Sequence, residues 1–321
     1  DTDANANTDA NANTTHKRMN KIGLCMKQNR ISGRIIKGIG GFYYVRPDGS
    51  TSLLECKARG VFRHQKIKPM VGDFVEVVEN DSDELAIDKI KPRKNEFVRP
   101  PVSNVDVALI VFAGENPSPN LLLLDKLLIA SEMKVVEPVI CITKTDLVEA
   151  DELQRIMDIY AKTPYKCFAF DQTDNIALQK IEREIAGKTA FLAGPSGVGK
   201  STLANRLCEA GAMETGELSQ KLNRGKHTTR HVELLDLKVG GYLLDTPGFS
   251  SLKLDSEIEK EDLRFYFPEF EEGSCRFASC LHQSEPGCVV KQQLEKGEIS
   301  QVRYEHYSYL LDEIKNKRSD Y

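Results

Sequence analysis

The chain has 321 residues, 40% of them apolar, and 44 Lys and Arg against 48 Asp and Glu. At about 150 residues per domain, this length suggests two or three domains with real cores, and a net charge of -4 excludes a globally basic surface. No run approaches the roughly 18 apolar residues of a membrane span, residues 22–26 are too short for a signal-peptide core, and isolated Cys25, Cys56, Cys141, Cys167 and Cys208 read as inert thiols in a reducing cytoplasm.

Residues 2–7 and 8–13 repeat the hexamer TDANAN. So polar a tract cannot bury enough apolar area to fold, and residues 1–30 are expected to be a disordered leader or a tail of artificial origin. From residue 31 to 98 the pattern is one of short strands, at 33–37, 41–46, 53–58, 74–78 and 85–90, with a turn signal at Pro47-Asp48-Gly49-Ser50. Several short strands in so small a span suggest a closed barrel, and the OB-fold is the common five-stranded form. Its Arg34, Lys37, Arg46, Lys57, Arg59, Arg63, Lys66 and Lys68 are interleaved with Phe42, Tyr43, Tyr44 and Phe62. Cations among aromatics suit RNA, through phosphate contacts and base stacking.

Arg99-Pro100-Pro101 marks a boundary. Beyond it, apolar strands at 107–112, 139–142, 166–170 and 189–192 alternate with helices at 121–133, 152–161 and 176–185. Such alternation predicts an α/β domain over 99–256, a parallel sheet with helices on both faces. A helical module over 257–321 follows, ending in a helix at 300–315.

Three motifs in the α/β part carry chemistry. Gly194, Pro195, Ser196, Gly197, Val198, Gly199, Lys200, Ser201 and Thr202 contain G-x(4)-G-K-S between a strand and a helix, the P-loop pattern. The glycines let backbone N–H groups converge on phosphate oxygens, and the helix adds its positive N-terminal end. Lys200 brings a full charge to the β- and γ-phosphates, and Ser201 a hard oxygen for Mg²⁺. Asp245-Thr246-Pro247-Gly248 follows the strand at 241–244, placing a carboxylate toward Mg²⁺ and the Gly248 N–H toward the γ-phosphate. Thr143-Lys144-Thr145-Asp146 resembles the guanine motif N-K-x-D. A carboxylate at Asp146 pairs with two donors of guanine and would be left unpaired against adenine. Thr143 replaces Asn and keeps a hydroxyl without the amide. Between P-loop and Asp245, the basic stretch 223–231 offers Thr228 and Thr229 as alternatives for completing the Mg²⁺ shell.

The order of these motifs is permuted. In a Ras-like chain the P-loop comes first and the guanine motif near the end; here 143–146 precedes 194–201, which precedes 245–248. Joining the original termini and cutting elsewhere leaves the same sheet. Motion after Asp245 would then pass directly into the C-terminal module. There, Cys275, Cys280, His282 and Cys288 form C-x(4)-C-x-H-x(5)-C, a closed Cys₃His set suited to one structural Zn²⁺. Nearby Lys291, Lys296 and Arg303 are further candidates to face RNA.

The permuted order, RGKHTTRHVEL at 224–234, DTPGFSSL at 245–252 and the cysteine cluster together resemble the bacterial small-subunit-dependent GTPases called RsgA, YjeQ or YloQ. The likeness spans residues 31–321. It implies a circularly permuted P-loop GTPase domain between an N-terminal OB-fold barrel and a zinc-binding helical module. It further implies a GTP hydrolase acting late in small-subunit maturation and leaving after hydrolysis to GDP. The implied partners are the small ribosomal subunit and its rRNA, with no membrane, for a monomer in the cytoplasm. Phe249 stands where Ras-like enzymes keep a water-orienting Gln. His227 is the candidate substitute, favoured over His231 by the resemblance, with Lys200 and Thr229 as the other catalytic candidates. A low basal rate strongly stimulated by the subunit is expected. A different class remains, an RNA-binding scaffold for which GTP is mainly a conformational ligand; an ATPase or kinase is disfavoured by Asp146.

Overall fold

The computed structural model describes residues 30–79, 84–98, 100–209, 232–245, 258–270 and 275–319. Its first strands are β1 (Ile31–Ile39), β2 (Phe42–Pro47), β3 (Leu54–Ala58), β4 (Phe74–Glu79) and β5 (Leu85–Ile90). β1 pairs antiparallel with β2 and β4, β2 with β3 and β4 with β5, while β3 and β5 run parallel. The circuit therefore closes, and closure removes the exposed edges that a five-stranded sheet would otherwise carry. The β1–β2 register shifts between Ile35 and Lys37, and β1 pairs with β4 over 31–34 and with the α/β part at Lys37. At Gly33 any Cβ would sit 2.4 Å from the Arg46 carbonyl oxygen, so the strands can approach only over glycine. A one-turn helix, α1 (Val61–His64), lies between β3 and β4.

Around the proline-rich break lies a small hairpin, β6 (Glu96–Val98) and β7 (Pro101–Ser103). It is fastened to the barrel by Asp73. That carboxylate is fully buried and accepts from Ser103 Oγ at 2.6 Å, Arg93 Nε at 2.7 Å and the Met70 N–H at 2.8 Å.

The α/β part has β8 (Val107–Ala113), β9 (Glu137–Thr143), β10 (Lys166–Ala169), β11 (Thr189–Ala193), β12 (Glu233–Asp236) and β13 (Tyr242–Asp245), in spatial order β10-β9-β8-β11-β13-β12. All neighbours are parallel except β12, which is antiparallel to β13. β8 is central and every residue of it is buried. Val107, Leu109, Val111 and Ala113 join the core that holds α4 (Asn175–Ile185) and α5 (Lys200–Leu207). Ala108, Ile110 and Phe112 join the core under α2 (Leu121–Met133) and α3 (Ala150–Ala161). Burial on both faces is why this strand reads as an unbroken apolar run. β12 was not anticipated from sequence. It lies against β1, with Lys37 opposite Glu233, so barrel and α/β part form one continuous sheet.

The C-terminal part contributes a 3-10 turn (Leu263–Tyr266), α6 (Val289–Glu295) and α7 (Gln301–Ser319). Its core, with Leu263, Phe267, Phe270, Tyr307 and Leu311, also takes in Ile129 of α2. α2 is thus packed on two sides, which explains a helix apolar almost all round.

Candidate nucleotide site and metal-ligand cluster

Going outward from β8, the chain visits β9 and β10 on one side and β11 and β13 on the other. In open α/β sheets the crevice beyond the strand C-termini at such a reversal is where ligands bind. β11 ends there in the P-loop. Gly194, Gly197 and Gly199 all have positive φ, at 133°, 81° and 91°. A Cβ on Gly194 would lie 2.0 Å from the Val111 carbonyl oxygen, so the loop can leave β11 over β8 only with glycine. α5 begins at Lys200, with Ser201 and Thr202 exposed in its first turn. The half-buried Lys200 ammonium reaches back across the loop to the Gly194 carbonyl at 2.9 Å and the Pro195 carbonyl at 2.5 Å. Burial holds its pKa below the usual lysine value.

β9 delivers the other half of the crevice. Buried Thr143 Oγ1 lies 2.6 Å from the Val198 carbonyl oxygen and 3.2 Å from that of Phe112. A hydroxyl has one proton, and the shorter contact is to the P-loop. Thr143 therefore straps the phosphate loop to the end of β9, an office its sequence position alone did not reveal. Lys144 takes a left-handed conformation, φ 56°, and its Nζ donates to the Asn116 carbonyl. It starts the 3-10 turn Thr145–Leu147, on which Asp146 is exposed to solvent. A third loop, after β10, escaped the sequence reading. Asp171 Oδ1 accepts from the Thr173 N–H at 2.6 Å and from Thr173 Oγ1 at 2.7 Å, and Asp174 caps α4. The signal was available in Asp171-x-Thr173, the pattern of an Asx-turn.

β13 runs parallel to β11, Leu244 opposite Phe191, and ends at Asp245 on the same edge of the sheet. His227, Thr228, Thr229 and Gly248 lie outside the described residues.

The four candidate metal ligands converge. The ligating atoms of Cys275, Cys280, His282 and Cys288 all lie within 4.8 Å of one another. His282 Nδ1 is 3.4 Å from Cys288 Sγ and 3.7 Å from Cys275 Sγ. Metal–sulfur and metal–nitrogen bonds of about 2.3 and 2.0 Å at a tetrahedral angle require about 3.5 Å between those atoms, so the set fits a tetrahedral ion. His282 adopts φ 59°, a strained conformation for this residue. Tyr304 Oη donates to its carbonyl at 2.6 Å, and the Arg264 guanidinium donates to the Ala278 and Cys280 carbonyls, fixing the loop from behind.

Two family models match, one described as the RsgA GTPase over residues 90–255 and one as the RsgA N-terminal domain over residues 32–87. The small ribosomal subunit biogenesis GTPase RsgA of Alkaliphilus metalliredigens is 47% identical over 290 residues, 89% of this chain and 98% of that protein. The chain belongs to the RsgA GTPase family. A second RsgA, from Caldanaerobacter subterraneus subsp. tengcongensis, is 47% identical over 90% of this chain and 97% of its own. Among solved structures, YjeQ from Thermotoga maritima matches with a TM-score of 0.77 at 32% identity, covering 89% of this chain and 98% of that one. YloQ, described as a circularly permuted GTPase, matches with a TM-score of 0.76 at 38% identity, covering 92% and 99%. The permuted GTPase architecture with its OB-like barrel is the fold of this chain.

Within this RsgA fold, two of the cations assigned to RNA, Arg34 and Arg303, need correction. Arg34 is buried and donates to the Gly72 and Asn104 carbonyls and to Thr189 Oγ1. Lys37, Arg46, Lys57 and Arg59 are engaged with Glu233, Asp236, Glu84 and Asp88. Phe62 fills the barrel. Arg303 is wholly buried: Nε donates to Glu269 Oε1 at 2.7 Å, and Nη1 lies 2.7 Å from Asp125 Oδ1. Asp125, on α2, also receives the Tyr160 hydroxyl at 3.0 Å and His306 Nδ1 at 2.6 Å. A guanidinium so enclosed joins the C-terminal module to the GTPase domain and faces no RNA.

Proposed function

We propose that this chain binds and hydrolyses GTP with Mg²⁺ as a maturation factor of the small ribosomal subunit. The reading is supported by one observation above all: the P-loop, the guanine-type motif and the Asp245 strand, shuffled in sequence, end on one edge of one sheet, with Thr143 fastening two of them together. In this reading Gly194 to Thr202 hold the phosphates, with Lys200 neutralising the charge that develops on the transferred group. Ser201, Asp245 and Thr229 ligate Mg²⁺, Gly248 meets the γ-phosphate, and Asp146 reads guanine beside Lys144. His227 orients the attacking water. Cys275, Cys280 and Cys288 through Sγ and His282 through Nδ1 hold one Zn²⁺, which supplies folding energy and no chemistry. Residues 31–98, 99–256 and 257–321 are the working units, in a cytoplasmic monomer whose partners are the subunit and its rRNA. No helix among the described residues is long and apolar enough to cross a membrane.

GTP turnover with and without purified small subunits tests this. Partner activation in related switches reaches about 10⁵-fold, roughly 7 kcal/mol of barrier. Wild type should be slow alone and strongly stimulated, Lys200→Ala should lose turnover, and His227→Ala should bind GTP yet respond poorly to the subunit. Equal rates with and without subunits would end the proposal. Unimpaired subunit maturation by a variant that holds GTP without cleaving it would instead favour the scaffold reading.

A further inference from the structure

Two of the barrel's cations meet carboxylates of the neighbouring domain. The Arg46 guanidinium meets the Asp236 carboxylate with both nitrogens, Nη1–Oδ1 at 2.5 Å and Nη2–Oδ2 at 3.0 Å, and Lys37 Nζ lies 2.9 Å from Glu233. Both acids belong to β12, whose opposite edge pairs with β13. The register forms a row: Lys37 of β1 opposite Glu233 of β12, and Glu233 opposite Asp245 of β13. A barrel residue therefore stands two strands from the candidate magnesium carboxylate, through a single intervening residue. The far end of β12 is tied to the P-loop helix. The Glu209 N–H donates to the Asp236 carbonyl at 3.2 Å and the Lys238 N–H to the Leu207 carbonyl at 3.0 Å, just past the end of α5. Arg46 also lies 5.6 Å from the Tyr242 ring centroid, at the base of β13. β12 has only four residues, too short to set its own position, so what clamps it decides where its neighbour ends.

We propose that Lys37 and Arg46 are positioning residues for the GTP site: from the barrel they clamp β12 at its two ends, Lys37 at Glu233 beside Asp245 and Arg46 at Asp236 beside Tyr242, and thereby set the magnesium-bearing end of β13. This rests on the reading of Asp245 as a Mg²⁺ ligand. Anything that seats on the barrel then has a mechanical route to the metal end of the nucleotide site. It runs through two ion pairs and one strand.

The test is the Mg²⁺ concentration giving half-maximal binding of a fluorescent non-hydrolysable GTP analogue by the full chain, with that for half-maximal basal turnover beside it and circular dichroism to confirm folding. Outer-shell partners are worth about 10–100-fold in metal affinity, and one strand further out about fivefold is expected for Arg46→Ala and for Asp236→Ala. The double variant should be no worse than either single one, because both remove the same clamp. Charge reversal, Arg46→Asp with Asp236→Arg, should return at least half of the lost affinity. Lys37→Ala, which frees the end of β12 beside Asp245, should show a shift of the same sign and similar size, and it serves if Arg46→Ala folds poorly. An Mg²⁺ dependence unmoved in both Arg46→Ala and Lys37→Ala, or additive single effects without rescue, overturns the proposal. Asp245→Ala separates the two readings. If that variant keeps normal Mg²⁺ dependence, the assignment of Asp245 fails; if it loses it while Arg46→Ala does not, only the clamp fails. Loss of subunit binding by Arg46→Ala with unchanged Mg²⁺ dependence returns Arg46 to the RNA-contact role.

Discussion

The GTPase domain holds its two neighbours by joints of different character. The barrel is joined through a short strand, two partly exposed ion pairs, Arg46–Asp236 and Lys37–Glu233, and the buried Arg34 guanidinium, which donates to Thr189 Oγ1 over a shared apolar core. The C-terminal module is joined through Arg303, Asp125 and Glu269, of which none has more than 2% of its side chain exposed. Exposed pairs contribute about 0.2–1 kcal/mol each and rearrange readily in water. A buried cation between two carboxylates cannot be half undone, because any separation leaves an unpaired charge in a region of low polarisability. The β12 side of the first joint is thus adjustable, while its Arg34 side and the whole second joint are fixed. The segment on which the expectation of motion passing beyond Asp245 rests, 246–257, lies outside the described residues. The module is bonded to α2, and the adjustable contact lies at the barrel.

Removing the metal should break this comparison most severely. The free energy of structural zinc sites is about 10–16 kcal/mol in small domains, and the C-terminal core takes in Cys280 and Cys288 with Cys275 packed against it. Chelation, or Cys280→Ala, should make the C-terminal module trypsin-sensitive while the barrel and GTPase domain keep their resistance. A module still protected without metal would show that Arg303 alone suffices. Next is Arg303→Ala, which strands Asp125 and Glu269 and should destabilise by about 3–5 kcal/mol, read as the fall in unfolding free energy in urea. A loss below 1 kcal/mol would place this joint with the barrel's. Thr143→Val falls between the extremes. It leaves the Val198 carbonyl without its donor, at about 1–2 kcal/mol, and should raise KM for GTP roughly tenfold with Thr143→Ser close to wild type. An unchanged KM would show that the strap is dispensable. Arg46→Ala should change global stability by less than about 1 kcal/mol, although it shifts the Mg²⁺ response. A large loss of stability would mean that the barrel joint is as rigid as the other.

Much of this could be read from the residues. The strand at Leu85–Ile90 and the helix at Leu121–Met133 fall where their patterns put them, because turn residues bound the first and a long apolar run the second. The P-loop and the Cys₃His set were legible because their chemistry fixes residue types at fixed spacings. β12 was not, since ELLD has no alternation and gains its strand character from pairing on both sides. Nor were the partners of the cations. Composition shows that Arg34, Arg46 and Arg303 are positive, but only the folded chain shows that carbonyls or carboxylates already enclose them. Arg303 is the plainest case, a helix charge that periodicity would leave in solvent and that a neighbouring domain covers.

The central position of β8 has a consequence for synthesis. Its second partner, β11, begins at Thr189, well after β8 itself ends at Ala113. At about 5–20 residues per second the emerging polypeptide carries one uncovered flank of its most apolar strand for several seconds. A chain stalled before Thr189 should bind a hydrophobic dye that a chain stalled beyond Asp245 does not. Rearranging the order of the motifs, harmless to the finished sheet, has lengthened the interval in which nascent molecules can stick to one another.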